Sequence, residues 1–107
     1  MNGRLNAVDI AAGSTPETVY EAPGDIKYAS VSISVCNRGP QTAEITISGS
    51  SVDNTIDNGN IIEYRTELLA HNVLERTGII VPQSEFLVVE SDQINVSVVV
   101  MGAEVPQ

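Results

Sequence analysis

Tryptophan is absent from this sequence of 107 residues, and the aromatic residues number only four, three tyrosines and one phenylalanine. A folded core must therefore be built mainly from aliphatic side chains. The single cysteine permits no disulfide within the chain. The single histidine leaves little material for a zinc site or a catalytic triad, both of which need imidazole groups near other ligands or a nucleophile.

Basic residues are also scarce, because five lysines and arginines face 14 aspartates and glutamates for a net charge of −9. A surface of this sign argues against binding to a nucleic-acid backbone, which requires positive charge. No unbroken apolar run exceeds four residues, so we expect no membrane-spanning helix and no membrane partner. The first residues lack the apolar stretch of a signal peptide, and we expect folding in a cytoplasm.

β-Branched residues are what the sequence has in excess. Valine (14), isoleucine (11) and threonine (7) outnumber leucine (5) and lysine (1) by a wide margin. These residue types favour strands over helices. A composition that is 42% hydrophobic is too apolar for a disordered chain, and the length suits one domain.

Strict alternation of apolar and polar residues is clearest in two neighbouring segments. In residues 28–37, Val31, Ile33 and Val35 alternate with serines, and residues 41–48 repeat the pattern. A period of two is typical of a strand with one face buried. Because residues 37–40 (Asn-Arg-Gly-Pro) form a turn signal between them, we predict that the two strands pair as a hairpin.

Six further segments complete the pattern. Residues 61–69 fit both helical and strand spacing; we favour a strand because turn signals flank them. Gly78 suits a bulge within its strand, and residues 102–107 are predicted to be a loose tail. The sequence therefore predicts an all-β fold, an antiparallel β-sandwich of about eight short strands, jelly-roll or immunoglobulin-like. The further predicted strands are residues 5–12, 18–21, 61–69, 73–81, 85–90 and 94–101.

The first 15 residues are predicted to be a short N-terminal arm, and residues 16–107 a single sandwich domain. A glycine and a proline near the end of the arm separate it from the first strand of the domain. We take Leu5, Val8 and Ile10, its large apolar residues, as candidates for contact with a neighbouring subunit. Simple fraying of the terminus is the alternative.

The search for catalytic or metal-binding chemistry returns little. His71 lies in a predicted turn, no glycine pattern of a nucleophile elbow surrounds any serine, and Cys36 is expected to be a small buried hydrophobe. The polar loop of residues 49–60 offers carboxylates for a cation, but its spacing departs from that of a calcium loop. We therefore expect no enzymatic activity, no cofactor and no metal.

Four short motifs occur in the same order as in a known class of proteins. It resembles small virion structural proteins of tailed bacteriophages, including marine and cyanobacterial phages, in residues 62–64 (Ile-Glu-Tyr), 74–78 (Leu-Glu-Arg-Thr-Gly), 88–89 (Val-Val) and 95–102. A fifth piece, residues 34–39, is also similar and ends in Cys-Asn-Arg-Gly. The resemblance covers residues 18–102.

The resemblance implies a non-enzymatic protein that decorates and stabilises the capsid shell by bridging major capsid subunits. It implies a place on the capsid surface of the virion, with the major capsid protein as partner and a homo-oligomer, a trimer being favoured. The alternative is a tail, neck or fibre module that binds other virion proteins or a host-surface glycan. Within the shared motifs, we predict that Arg76 pairs with a carboxylate such as Glu63 as a structural or interface pair.

Overall fold

Eight strands and one short 3-10 turn make up the secondary structure of a computed structural model that describes residues 2–107. The strand predicted over residues 61–69 is confirmed, as are those around Val31 and Ile45. The strands are β1 (Asn2–Ile10), β2 (Glu17–Glu21), β3 (Ile26–Asn37), β4 (Ala43–Ser50), β5 (Ile61–Leu68), β6 (Val73–Pro82), β7 (Phe86–Ser91) and β8 (Val96–Pro106), and the 3-10 turn is Asn58–Asn60.

The strands form two four-stranded sheets, which we call sheet A (order β1-β8-β3-β6) and sheet B (order β2-β7-β4-β5). Every pairing is antiparallel, and β1 pairs with β8, β2 with β7, β3 with β6 and β4 with β5. The first strand therefore pairs with the last, the second with the second-last, and so on, as in a long antiparallel hairpin that is folded into two sheets. The predicted β-sandwich is confirmed, and the strand order makes it a jelly roll rather than an immunoglobulin-like sandwich.

The core lies between the sheets and is almost entirely aliphatic, as the shortage of aromatic residues requires. Alternate residues of the central strands point inward and are buried. The fully buried large side chains include Ile33, Val35, Ile45, Ile47, Leu87, Val89, Val96 and Val98. No buried side-chain nitrogen or oxygen within residues 2–107 is without a hydrogen-bond partner, so the few polar groups inside are compatible with burial.

The predicted hairpin between the two alternating segments is wrong. β3 lies in sheet A and β4 in sheet B, so the turn between them carries the chain from one sheet to the other. The buried side chain of Asn37 holds this corner, because its amide donates to the Gln41 oxygen (2.7 Å) and to the Leu68 oxygen (3.0 Å) and its Oδ1 accepts from the Gly39 nitrogen (3.0 Å). Alternation alone specifies a buried face and not the strand that lies alongside.

The C-terminal end of the chain is more ordered than predicted, and the strand predicted over residues 5–12 is present as β1. The predicted loose tail is wrong for residues 102–106, which extend β8 and pair with the first half of β3. The described residues 2–10 of the predicted arm form β1, an edge strand that pairs with β8 along its length, while Met1 lies outside the described residues. Pairing with segments far away in sequence orders both ends, and no local pattern distinguishes residues 102–106 from a loose tail.

All four edge strands carry an irregularity in register. The shifts fall at Leu5 in β1, at Val19 in β2, around Arg65 in β5 and at Gly78 in β6. Gly78 adopts a left-handed φ of 72°, as a bulge there requires, so the predicted bulge is confirmed. Bulged edges are poor templates for strand addition, and contacts through a sheet face are favoured instead.

Candidate functional site

The predicted partners Glu63 and Arg76 do form an ion pair, between Arg76 Nη1 and Glu63 Oε2. The pair spans the open side of the sandwich, because Glu63 lies on β5 of sheet B and Arg76 on β6 of sheet A. The side chain of Glu63 is 14% exposed and that of Arg76 is 45% exposed, so the guanidinium is not buried as predicted. Thr66 donates a second hydrogen bond to Glu63 Oε1 (2.6 Å), which completes the surroundings of the carboxylate.

The other three candidates, Leu5, Val8 and Ile10, lie on β1 at the opposite edge of sheet A from Arg76. Ile10 is 1% exposed, and Leu5 and Val8 are half-buried and pack against the core. The structure therefore does not bring them together with the ion pair. That β1 contacts a neighbouring subunit stays a prediction.

The outer face of sheet A is a candidate contact surface that sequence reasoning missed. Apart from Lys27, the bulged residue near the start of β3, its two central strands, β3 and β8, present no charged residue outward. Exposed apolar side chains on this face include Met101 (41%) and, on β6, Ile80 (56%). The outward residues of the two central strands are Tyr28, Ser30, Ser32, Ser34, Cys36, Ser97, Val99, Met101, Ala103 and Val105.

The signal for this face was present in the sequence as the serines that alternate with valine and isoleucine between residues 30 and 35. The same alternation is expected for a strand whose serines simply face solvent, so it does not by itself indicate a contact surface. Only the pairing of β3 with β8 sets them beside valine, methionine and alanine to make a broad surface low in charge, with Ser32 opposite Met101 and Ser34 opposite Val99. A surface low in charge that carries tyrosine and methionine is typical of the centre of a protein interface.

The outer face of sheet B differs in charge and is partly covered. Residues 51–57 of the β4–β5 loop cross it and are fastened to Thr18 on β2. The Thr18 hydroxyl donates to Asp53 Oδ1 (2.6 Å), and the Thr18 nitrogen donates to Asn54 Oδ1 (2.8 Å). The rest of the face carries Glu44, Glu67 and Glu90. The two faces of the sandwich therefore differ: the sheet A face is low in charge at its centre and carries Arg4, Asp9 and Glu75 on its edge strands, whereas the sheet B face is acidic.

A groove of about 380 Å³ lies along the open side, between β6 and the edge of sheet B. Its floor is apolar, with Ile79 and Leu87, and its rim carries Arg76 and Glu85. The opposite side of the sandwich is more firmly closed, because the Asn6 amide donates to the Val19 oxygen of β2 at 2.6 Å. Among the described residues, the groove therefore lies on the side of β5 and β6.

One titratable group between the sheets is strongly perturbed. The Tyr20 hydroxyl donates to Glu104 Oε2 at 2.6 Å. Burial, first, and then the hydrogen bond and the charge of Glu104 raise the pKa of Tyr20 well above its ordinary value. This pair joins β2 of sheet B to the last part of β8 in sheet A, and its role is structural.

The remaining reactive side chains are scattered. His71 lies in the β5–β6 turn, and Cys36 is half-buried on the outer face of sheet A rather than buried. In the described part of the chain, no three His, Cys, Asp or Glu side chains converge as metal ligands would. The loop carboxylate of Asp57 accepts hydrogen bonds from Gly59 and Asn60. Within residues 2–107, no helix is long and apolar enough to cross a bilayer.

Comparisons with known proteins give only distant likeness in fold. No protein-family model matches the sequence, and the search of curated proteins returns no match. Among solved structures, the fold matches a chain in the structure of infectious bursal disease virus, strain Gx, with a TM-score of 0.43 and 12% identity. The match covers 95% of this chain and 26% of that one, so this chain spans about a quarter of its length. A likeness this distant carries no argument about function.

Proposed function

We propose that this protein is a non-enzymatic virion structural protein that decorates a phage capsid shell and bridges major capsid subunits, as a trimer. The observation that supports this best is the low charge at the centre of the outer face of sheet A. In a chain of net charge −9, ten outward residues of the two central strands carry no charge, and Lys27 at the bulge near the start of β3 is the exception. The ordered motifs shared with phage virion proteins point in the same direction.

The physical mechanism of such a protein is linkage. A ligand that binds the assembled shell and not its dissociated subunits stabilises the shell in proportion to its occupancy. Each copy buries a modest area, but the contact is repeated over the shell, and a trimer engages several sites at once. Because every edge strand of the sandwich is irregular, sheet A would dock by its face rather than by strand addition.

The orientation follows from charge. Docking through sheet A leaves the acidic outer face of sheet B pointing into solvent, where its carboxylates stay hydrated and cost no desolvation. Like-charged outer faces also disfavour aggregation between particles. Placing sheet B against the shell would instead bury Glu44, Glu67 and Glu90.

The test is to mix the purified protein with phage shells assembled without it, and to measure pelleting and image the particles by cryo-electron microscopy. We expect saturable density at three-fold or quasi-three-fold positions, with sheet A toward the shell. Absence of binding would contradict the proposal. Density on the tail of complete particles instead would favour the alternative of a tail, neck or fibre module.

Charge variants make the test specific for the face. Ser32 and Met101 lie opposite each other on β3 and β8, and a glutamate at either position sets a charge in the centre of the surface. We expect Ser32→Glu and Met101→Glu to weaken shell binding by at least about tenfold. The matched control is Val52→Glu, which adds the same charge at a 57% exposed apolar residue of the loop over sheet B. Equal loss in all three variants would contradict docking through sheet A.

A further inference from the structure

The uncovered half of the outer face of sheet B forms a half-open cleft of about 390 Å³. Its floor is Thr46 and Glu90, and the loop residues Ile56 and Asn58 form one wall. Tyr64 and Arg65 on β5 line it as well. The volume falls within the range of small-molecule sites, about 300–1,000 Å³. The cleft lies on the other sheet from the proposed shell contact.

A bulge in β5 shapes this cleft. In a regular strand, Tyr64 and Arg65 would point to opposite faces. The register shift sets both of them opposite Thr46, and Arg65 adopts a left-handed φ of 47°, which is uncommon for a residue other than glycine. The Arg65 nitrogen donates to Thr46 Oγ1 at 3.1 Å and holds the bulge in place. Bulges of this kind re-aim side chains next to functional sites.

The guanidinium of Arg65 is fixed by Glu44. Arg65 Nε donates to Glu44 Oε1 at 2.9 Å, and Nη2 lies 2.8 Å from the same oxygen. Hydrogen bonds and charge, from Glu44 first and then from Tyr64, raise the pKa of Arg65 above its ordinary value. The cation therefore sits beside the phenol of Tyr64, and the ring of Tyr64 stays 66% exposed at the cleft.

The cleft supplies carboxylate oxygens that can accept hydrogen bonds from a ligand. The half-buried carboxylate of Glu90 has no hydrogen-bond or ion-pair partner within residues 2–107. Asp92 accepts from the Glu44 nitrogen at 2.8 Å through Oδ1. A ligand with hydroxyl groups would donate to Glu90 and Asp92 in charge-assisted hydrogen bonds, which are stronger than neutral ones.

We propose that this cleft binds a neutral carbohydrate, with one sugar ring against Tyr64 and its hydroxyls on Glu90 and Asp92. An exposed tyrosine offers a flat apolar face to sugar C–H groups and a polar hydroxyl at its tip. Three carboxylates against one guanidinium leave an excess of negative charge, which disfavours sialylated, sulfated or phosphorylated glycans. A cationic ligand is disfavoured at Tyr64, because Arg65 already holds positive charge there.

The test is a titration of the ¹⁵N-labelled full chain with lactose, maltose and methyl α-mannoside, followed by NMR. We expect at least one of these sugars to shift the amide signals of Thr46, Arg65 and Glu90. The dissociation constant should weaken by about tenfold or more in Tyr64→Ala and in Glu90→Gln. Tyr28→Ala, which removes a tyrosine from the outer face of sheet A, is the matched control and should bind as wild type does.

Three outcomes would overturn the inference. The first is that none of these neutral sugars shifts the cleft signals. The second is that the shifts map to the groove between β5 and β6 and persist in Tyr64→Ala. The third is that ethylammonium or an anionic sugar binds the cleft while the neutral sugars do not. Shell binding uses the opposite face, so failure of either proposal leaves the other to stand on its own measurement.

Discussion

Arg76 on β6 and Glu63 on β5 form an ion pair that joins the two sheets across the open side of the sandwich. The two residues are 13 apart in sequence and lie on consecutive strands that share no backbone pairing. Because Glu63 is nearly buried, loss of its partner leaves a carboxylate with only the Thr66 hydroxyl beside it. We expect Arg76→Ala to lower the free energy of unfolding by about 1 kcal/mol, measured by urea denaturation.

The matched control for that prediction is Arg38→Ala. Arg38 pairs with Asp9, and its side chain is 45% exposed, as that of Arg76 is, but Asp9 is 69% exposed where Glu63 is 14% exposed. An ion pair of this exposure contributes little, and we expect a change within about 0.5 kcal/mol. If the two variants lose the same stability, burial of the carboxylate is not what makes the Arg76 pair matter.

The pair of Tyr20 and Glu104 predicts a loss of stability at high pH. The folded state raises the pKa of Tyr20, so above the unfolded value of about 10 the unfolded chain releases the phenolic proton while the folded chain retains it. Stability from this group is therefore complete below pH 10 and declines as the pH rises further. Tyr20→Phe should cost about 1 kcal/mol at pH 7, and the gap to wild type should shrink from pH 10 upward.

Urea denaturation between pH 7 and pH 11 measures that gap. Tyr64→Phe serves as the control, because it removes a phenol from a side chain that is 66% exposed. A gap between wild type and Tyr20→Phe that stays constant up to pH 11 would show that the buried phenol does not contribute in this way.

Gly102 is the glycine at which we expect substitution by alanine to destabilise the fold most. It lies in β8 with a φ of 154°, and a Cβ there would overlap the Ser30 carbonyl oxygen and lie 2.8 Å from the Val31 Cα. Both neighbours are backbone atoms of the central strand β3, so neither can move aside without disturbing the sheet. We expect Gly102→Ala to destabilise the fold by more than about 3 kcal/mol in thermal or urea unfolding.

Gly24→Ala is the comparison for this variant. Its Cβ would meet only the Ser84 side-chain oxygen at 3.5 Å, an ordinary contact, and we expect a change within about 0.5 kcal/mol. Similar losses in both variants would mean that the close approach at Gly102 relaxes easily.

The hydrogen bonds of Asn37 at the corner between β3 and β4 should contribute to the stability of the fold. Its amide donates to two carbonyl oxygens, of Gln41 and Leu68, inside the protein. Asn37→Asp replaces the donor with a carboxylate oxygen that faces those carbonyls, and we expect a loss of about 3 kcal/mol. Asn58→Asp adds the same charge at an exposed position, and urea denaturation should find it near wild type. Comparable losses in the two would attribute the effect to net charge alone.

The strands themselves were predictable because each is a local pattern. The alternation around Val31 and Ile45, the strand over residues 61–68 and the bulge at Gly78 are all present in the structure. These features depend on residues within a few positions of one another, and one buried face is enough to produce them. The pairing of Glu63 with Arg76 was also predicted, from two charges in consecutive strands.

Two predictions that depended on which strand lies beside which were wrong. The segments around Val31 and Ile45 lie in different sheets, and the tail after Gly102 completes β8. The cleft at Tyr64 was not predicted, because it depends on a bulge whose register is set against β4.

The sequence by itself determined that this protein is an acidic, all-β domain with an aliphatic core, because composition and a period of two are sufficient for that. Only the tertiary structure decided that the sandwich is a jelly roll, that its serines join Val99 and Met101 in a surface low in charge, and that Glu44, Glu67 and Glu90 share the outer face of the other sheet. The reason is physical: alternation fixes which side of a strand is buried, whereas strand order depends on pairings between residues far apart in the chain.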